Sequence, residues 1–246
     1  MIPFLVGLGV LILAAALAFG FRWTGTACLA FFAAFLVAAA QSQTLLGSPF
    51  QIGMLLAAGL VGFGRLYAWR PRMAALVRTL YAVAAFVALV SLHYLGRVAE
   101  GLPAWLLVIH GGSFLVAYAL LTVAYVAAVL GYLQHRALKQ RPWQALKRPP
   151  LLVLAGLELP YLRVGYLAYT IGLFTGMAWA FRVWGSPISW DPKEVLTLLA
   201  WVLFTARLLL PTTARPGLRL LIWTAAFVAM AAAFFAAPLL GGRHPV

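Results

Sequence analysis

Long apolar runs, parted by short joints of proline, glycine and charge, set the pattern of this chain. Runs of bilayer-crossing length lie at roughly 2–21, 24–42, 50–68, 79–96, 104–132, 164–183, 194–211 and 218–240. Each reads as a helix. Together they predict an all-α, polytopic transmembrane bundle of about eight spans, with a single integral-membrane domain over 1–246. The fifth run exceeds what a bilayer needs, so it is expected to tilt or to project beyond the membrane. Breaks fall at Gly47-Ser48-Pro49, Arg70-Pro71-Arg72, Gly101-Leu102-Pro103, Arg148-Pro149-Pro150, Pro211 and Pro216. The apolar stretch 151–162 holds Glu158 and Pro160 and is too short to cross, which predicts a helix lying on the inner membrane surface.

Composition agrees with the pattern. The chain is 65% hydrophobic and 9% charged, whereas soluble domains carry about 25% charged residues. Met1-Ile2-Pro3-Phe4 lacks the basic region of a signal peptide, so the first run is expected to stay as a helix. Cys28 is the single cysteine, which excludes an intramolecular disulfide and suits a small apolar filler.

The net charge of +14 invites a nucleic-acid reading, but its distribution argues against one. Basic residues gather in alternate joints: Arg70, Arg72 and Arg78; then Arg136, Lys139, Arg141, Lys147 and Arg148; then Arg207, Arg215 and Arg219. The intervening joints hold Arg97, Arg182, Lys193 and Arg243. This asymmetry places the richer joints in the cytoplasm. Both termini are then expected on the outer side, 134–150 becomes a cytoplasmic basic loop, and the loop near 179–194 opens outward. The expected localisation is multi-pass in a bacterial inner membrane, and the asymmetry makes lipid headgroups rather than nucleic acid the basic joints' partner.

The outward loop is the most informative stretch. It reads Trp179-Ala180, then Trp184-Gly185-Ser186-Pro187-Ile188-Ser189-Trp190-Asp191-Pro192-Lys193-Glu194. Tryptophans gather at membrane interfaces in any case. Acids and a lysine packed among them have no part in such a belt, and charge at the membrane edge is costly. Indole faces are suited to gripping a planar aromatic ligand.

Of the four histidines, His135 sits among cytoplasmic basic residues and reads as a solvated loop residue. His110 lies about one and a half turns inside the outer end of the fifth span. A histidine at that depth either hydrogen-bonds a neighbouring helix or ligates a metal or cofactor. His93 is near the outer end of the fourth span, and His244 lies in the tail that the topology returns to the outer side. Two imidazoles across a flat macrocycle would form an axial pair for haem iron. Zinc asks for a more compact ligand set than any spacing here offers.

These residues resemble the cytochrome c assembly family of haem-handling membrane proteins, of the CcsA and HemX type. The ending Trp190-Asp191-Pro192-Lys193-Glu194 is the most specific point of likeness, though Pro187 and Ile188 stand where the family has Tyr and Trp. Trp105-Leu106-Leu107-Val108-Ile109-His110 with Tyr118, and Leu239-Leu240-Gly241-Gly242-Arg243-His244, are similar to two further family stretches. The resemblance implies non-covalent haem b with His110 and His244 as its axial and metal-binding ligands. Trp179, Trp184 and Trp190 would line the ring, and Arg97, Arg182, Lys193 and Arg243 are candidates for its propionates. Asp191 either pairs with Lys193 or accepts a hydrogen bond from an imidazole or a backbone N–H. His93 is either a remnant of a second haem site or a packing histidine. No catalytic residue is assigned. The implied role is presentation of haem to apocytochrome c, as part of a cytochrome c synthetase complex with a second membrane subunit bearing a large outer domain. A HemX-like regulator of haem synthesis and a haem transporter are the alternatives.

Overall fold

The computed structural model describes residues 48–94, 104–140, 148–211 and 213–235, the side chains of Ala104 and Leu107 excepted. Every regular element among them is helical: α1 (Pro49–Tyr67), α2 (Ala74–Ser91), α3 (Ala104–Gln140), α4 (Leu151–Trp184), α5 (Pro192–Leu209) and α6 (Pro216–Phe235). Short 3-10 turns, Pro71–Met73 and Leu92–Tyr94, flank α2. Among the described residues, five segments are long and apolar enough to cross a membrane: Pro49–Tyr67, Pro71–Tyr94, Val108–Gln140, Leu151–Trp184 and Pro216–Phe235. The run expected at 194–211 also folds as helix, α5, but carries Lys193, Glu194 and Arg207. The two runs at 2–21 and 24–42 lie outside the described residues.

One expectation is corrected. No separate surface helix forms over 151–162, because that segment is the first part of the 34-residue α4, which continues through Pro160. A proline inside a helix removes one hydrogen bond and crowds the carbonyl four residues earlier. Here that residue is Gly156, which is exposed like Pro160 itself and has no other element within 4 Å of where a Cβ would stand.

The chain separates into two compact units, 1–98 with 133–155, and 99–132 with 156–246. In the first, α1 opens with Pro49 in its first turn, and Ser48 Oγ accepts the N–H of Gln51 at 3.2 Å. α1 then packs antiparallel on α2. A Cβ on Gly53 would stand 1.8 Å from Ser91 Oγ, and one on Gly64 would meet the Tyr81 ring at 2.5 Å. Small residues on one face thus let the two backbones approach.

The second unit repeats the device with a consistent register. Gly165, Gly172 and Gly176 of α4 lie under Leu121, Phe114 and His110 of α3, where a Cβ would meet those side chains at 2.9, 2.9 and 2.6 Å. As numbering rises on one helix it falls on the other, so α3 and α4 run antiparallel. The core beside this seam is aromatic. Phe114 meets Tyr169 edge-on at 5.0 Å, Tyr169 meets Phe204 at 5.6 Å, and Phe204 meets Trp223 at 5.6 Å. Hydrogen bonds stitch the helices: Trp201 Nε1 donates to Thr170 Oγ1 at 3.0 Å, and the Tyr166 and Thr205 hydroxyls lie 2.8 Å apart. Such bonds hold helices together where lipid offers no hydrophobic drive.

Candidate functional site

The end of α4 and the start of α5 form a tight, self-braced turn. Gly185 terminates α4 in the left-handed region (φ 71°), its N–H bonded to the Phe181 carbonyl at 3.0 Å. Ser186 Oγ donates to the Ile188 carbonyl at 2.6 Å. Asp191 then caps α5 by accepting the Glu194 N–H at 2.9 Å, with Pro192 in the first turn. Glu194 reaches back and accepts from the Ser189 N–H and hydroxyl at 2.6 and 3.0 Å. Ser/Thr/Asp followed three residues later by Glu is the sequence sign of a capping box, and the Asp-Pro-Lys-Glu stretch carries it. Of the partners weighed for Asp191, a backbone N–H, that of Glu194, is one that it holds here.

Between the two braces stands Trp190. Its φ of 59° is the left-handed conformation that side-chain-bearing residues rarely adopt, at a cost of roughly 1–2 kcal/mol. Its side chain is 71% exposed. The hydrogen bonds on either side hold an indole outward from the turn. Trp179 and Trp184 instead pair with each other edge-to-face at 4.8 Å. Arg182 is exposed and Lys193 half-buried. Burial pushes the Lys193 ammonium below the ordinary lysine range, and the neighbouring Asp191 carboxylate partly opposes that.

His110 is fixed from α4. Its Nδ1 lies 2.9 Å from the carbonyl oxygen of Gly172. A carbonyl oxygen only accepts, so Nδ1 carries the proton, and Nε2 is the ring nitrogen with the lone pair. The ring rests over Gly176 and meets Phe114 edge-on at 5.0 Å. Trp179 is three residues beyond Gly176, one turn nearer the loop. His110, Trp179 and Trp184 therefore gather at one end of α4. The two readings of His110 are compatible, because the nitrogen bonded to the neighbouring helix is not the one a metal would take. Ligating histidines commonly hold their other ring nitrogen in this way.

His93 is exposed in the 3-10 turn after α2, edge-on to Tyr94 at 5.2 Å, and belongs to the first unit. Arg97, Arg243 and His244 lie outside the described residues. The sequence reading missed the glycines beneath His110, although Gly172 and Gly176 form the Gly-x3-Gly spacing of close helix pairs. It also missed the partners of Glu158 in α4.

The family described as Cytochrome C assembly protein matches residues 24–242. Similar proteins include the "Cytochrome c biogenesis protein CcsA" of Synechococcus sp. (strain CC9311), 41% identical over 56 residues, which is 23% of this chain and 18% of that one. Those of Prochlorococcus marinus (strain MIT 9303) and Cycas taitungensis are each 49% identical, over 45 and 41 residues. These stretches are 18% and 17% of this chain, and 14% and 13% of the relatives. The chain thus aligns with less than a fifth of each relative's length. No solved structure matches.

Proposed function

Because this chain belongs to the cytochrome c assembly protein family, we propose that it is a haem-handling membrane component of cytochrome c maturation, with His110 as one axial ligand. The observation that carries this reading is the 2.9 Å contact between His110 Nδ1 and the Gly172 carbonyl, which orients the imidazole and sets its tautomer for metal binding through Nε2. The donor set fits a haem. An apolar aromatic surround suits the macrocycle, with Trp179, Trp184 and the outward Trp190 at the same end of α4. Lys193 and Arg182 supply cations for propionates, and Arg97 and Arg243 complete the set that the family resemblance implies. His244 is the second axial ligand on that resemblance, and His93 is left with packing or a second haem.

Haem, when bound, supplies the vinyl groups to which the thiols of an apocytochrome add. What the chain does is hold, orient and present. The Gly172 carbonyl keeps the His110 ring from rotating. The capped turn at Ser189–Glu194 keeps Trp190 in one position, so its apolar face needs little ordering when a planar ligand or the apocytochrome arrives. In this reading the partners are apocytochrome c and a second membrane subunit bearing a large outer domain. The loop 179–194 and both termini face outward in a bacterial cytoplasmic membrane, and eight spans complete the bundle.

The names of the similar proteins favour assembly over regulation of haem synthesis. Deleting the gene separates the two. Loss of haem-linked c-type cytochromes with unchanged porphyrin levels is expected. Intact c-type cytochromes with altered porphyrin levels would overturn the proposal in favour of the regulator.

A further inference from the structure

The second unit holds another polar centre, far from His110. Glu158 stands 18 residues before Gly176 on α4, which is about 27 Å along a helix and close to the thickness of a bilayer's hydrocarbon core, about 30 Å. Glu158 Oε1 accepts from the Arg207 guanidinium of α5 and from the Trp223 indole N–H of α6 at 3.2 Å. Arg219 Nη2 of α6 lies 3.8 Å from the same oxygen. Trp223 is fully buried, the Arg207 side chain is 4% exposed, and that of Arg219 is 26% exposed.

Among the described residues, two guanidinium groups face this one carboxylate, so positive charge outnumbers negative in a largely buried place. Arg207 Nε is also buried without a hydrogen-bond partner among the described residues. Like charges held close together and an unmet donor are both costly away from water. Arg219 occupies the first turn of α6, where the helix N-terminus adds partial positive charge. Arg215, exposed, immediately precedes that helix. Arg207 and Trp223 together anchor Glu158, and Glu158 in turn steadies Arg219, the more open cation, at the edge of the cluster.

We propose that the Glu158–Arg207–Arg219–Trp223 cluster binds a phosphate oxyanion at the membrane face opposite His110, carried by an anionic lipid headgroup or free in solution. A phosphate matches the planar guanidinium fork and neutralises the surplus charge. Glu158 weakens the attraction without cancelling it. The site is independent of haem.

The test uses the full chain in nanodiscs of phosphatidylcholine with a minor share of phosphatidylglycerol. Lipids retained by the protein are counted by native mass spectrometry. A headgroup contact with one arginine near a membrane surface is worth about a five-fold preference. Wild-type protein is expected to enrich phosphatidylglycerol, and Arg219→Gln to lower that enrichment by about that factor. That substitution keeps the Glu158–Arg207 pair, and helix content by circular dichroism checks the fold. Arg163→Gln, which removes an exposed arginine of α4 outside the cluster, should leave the enrichment intact. Calorimetric titration of wild-type protein in pure phosphatidylcholine discs with inorganic phosphate separates the sources. Saturable binding there assigns the free ion. Enrichment that added phosphate does not displace assigns the headgroup. The absence of both in wild-type protein, or equal loss of enrichment in Arg219→Gln and Arg163→Gln, overturns the proposal.

Discussion

His110 and Gly176 are in contact across the α3–α4 seam: a Cβ on the glycine would stand 2.6 Å from Cε1 of the imidazole. With Nδ1 bonded to the Gly172 carbonyl, the ring is seated on α4 from two sides. Gly176→Ala should raise the helix propensity of α4, worth about 0.5–1 kcal/mol, while forcing the imidazole off its carbonyl. Reduced copurified haem and an altered Soret band are expected, with helix content unchanged. Gly172→Ala pushes on Phe114 instead, at 2.9 Å, and should perturb haem less. An identical effect from both substitutions would contradict the specific seating of His110.

Asp191 and Glu194 brace the start of α5, so their substitutions should be graded by capping ability. Asp191→Ala is expected to cost about 1 kcal/mol, whereas Asp191→Ser or Asp191→Asn should cost little. Thermal unfolding in detergent checks the order. If Asp191→Ser loses haem while keeping the unfolding midpoint, the carboxylate has a role toward the ligand beyond the cap.

Trp190 separates stability from function. Glycine adopts its left-handed backbone without strain, so Trp190→Gly should relieve roughly 1 kcal/mol and raise the unfolding midpoint or leave it unchanged. Haem retention or apocytochrome maturation should fall, because the exposed indole is gone. Full function in Trp190→Gly would remove the tryptophan from the presenting surface.

Lys193 predicts a pH dependence. Its ammonium is held below the ordinary lysine range by burial, against the pull of Asp191. It therefore loses its charge at a lower pH than an exposed lysine, and its attraction for a propionate fades as pH rises through that lowered pKa. Haem affinity should weaken on the alkaline side, and Lys193→Arg should push the weakening to higher pH. A profile unaffected by Lys193→Arg would show that the propionates are held elsewhere.

Much of the helical layout is legible from apolar periodicity. The runs at 50–68 and 218–240 correspond to Pro49–Tyr67 and Pro216–Phe235 within a few residues. Pro160 misled because proline reads as a break, whereas a long helix can run through one at an exposed position, as α4 does here. In Asp191-Pro192-Lys193-Glu194 the charges suggested a ligand, although the same spacing also spells a helix cap. Glu158 was out of reach of local reading, since its partners Arg207 and Trp223 lie 49 and 65 residues away. The tautomer of His110 likewise depends on a carbonyl 62 residues distant, which only the antiparallel seam brings near.

The central claim, that His110 ligates haem through Nε2, is tested most directly by the absorption spectrum of the detergent-purified protein beside that of His110→Ala. The account predicts a low-spin Soret and α-band spectrum from bis-imidazole ligation in the wild type. In the variant it predicts a lower haem-to-protein ratio and a shifted Soret maximum. Equal haem content and superimposable spectra in the two proteins would contradict it.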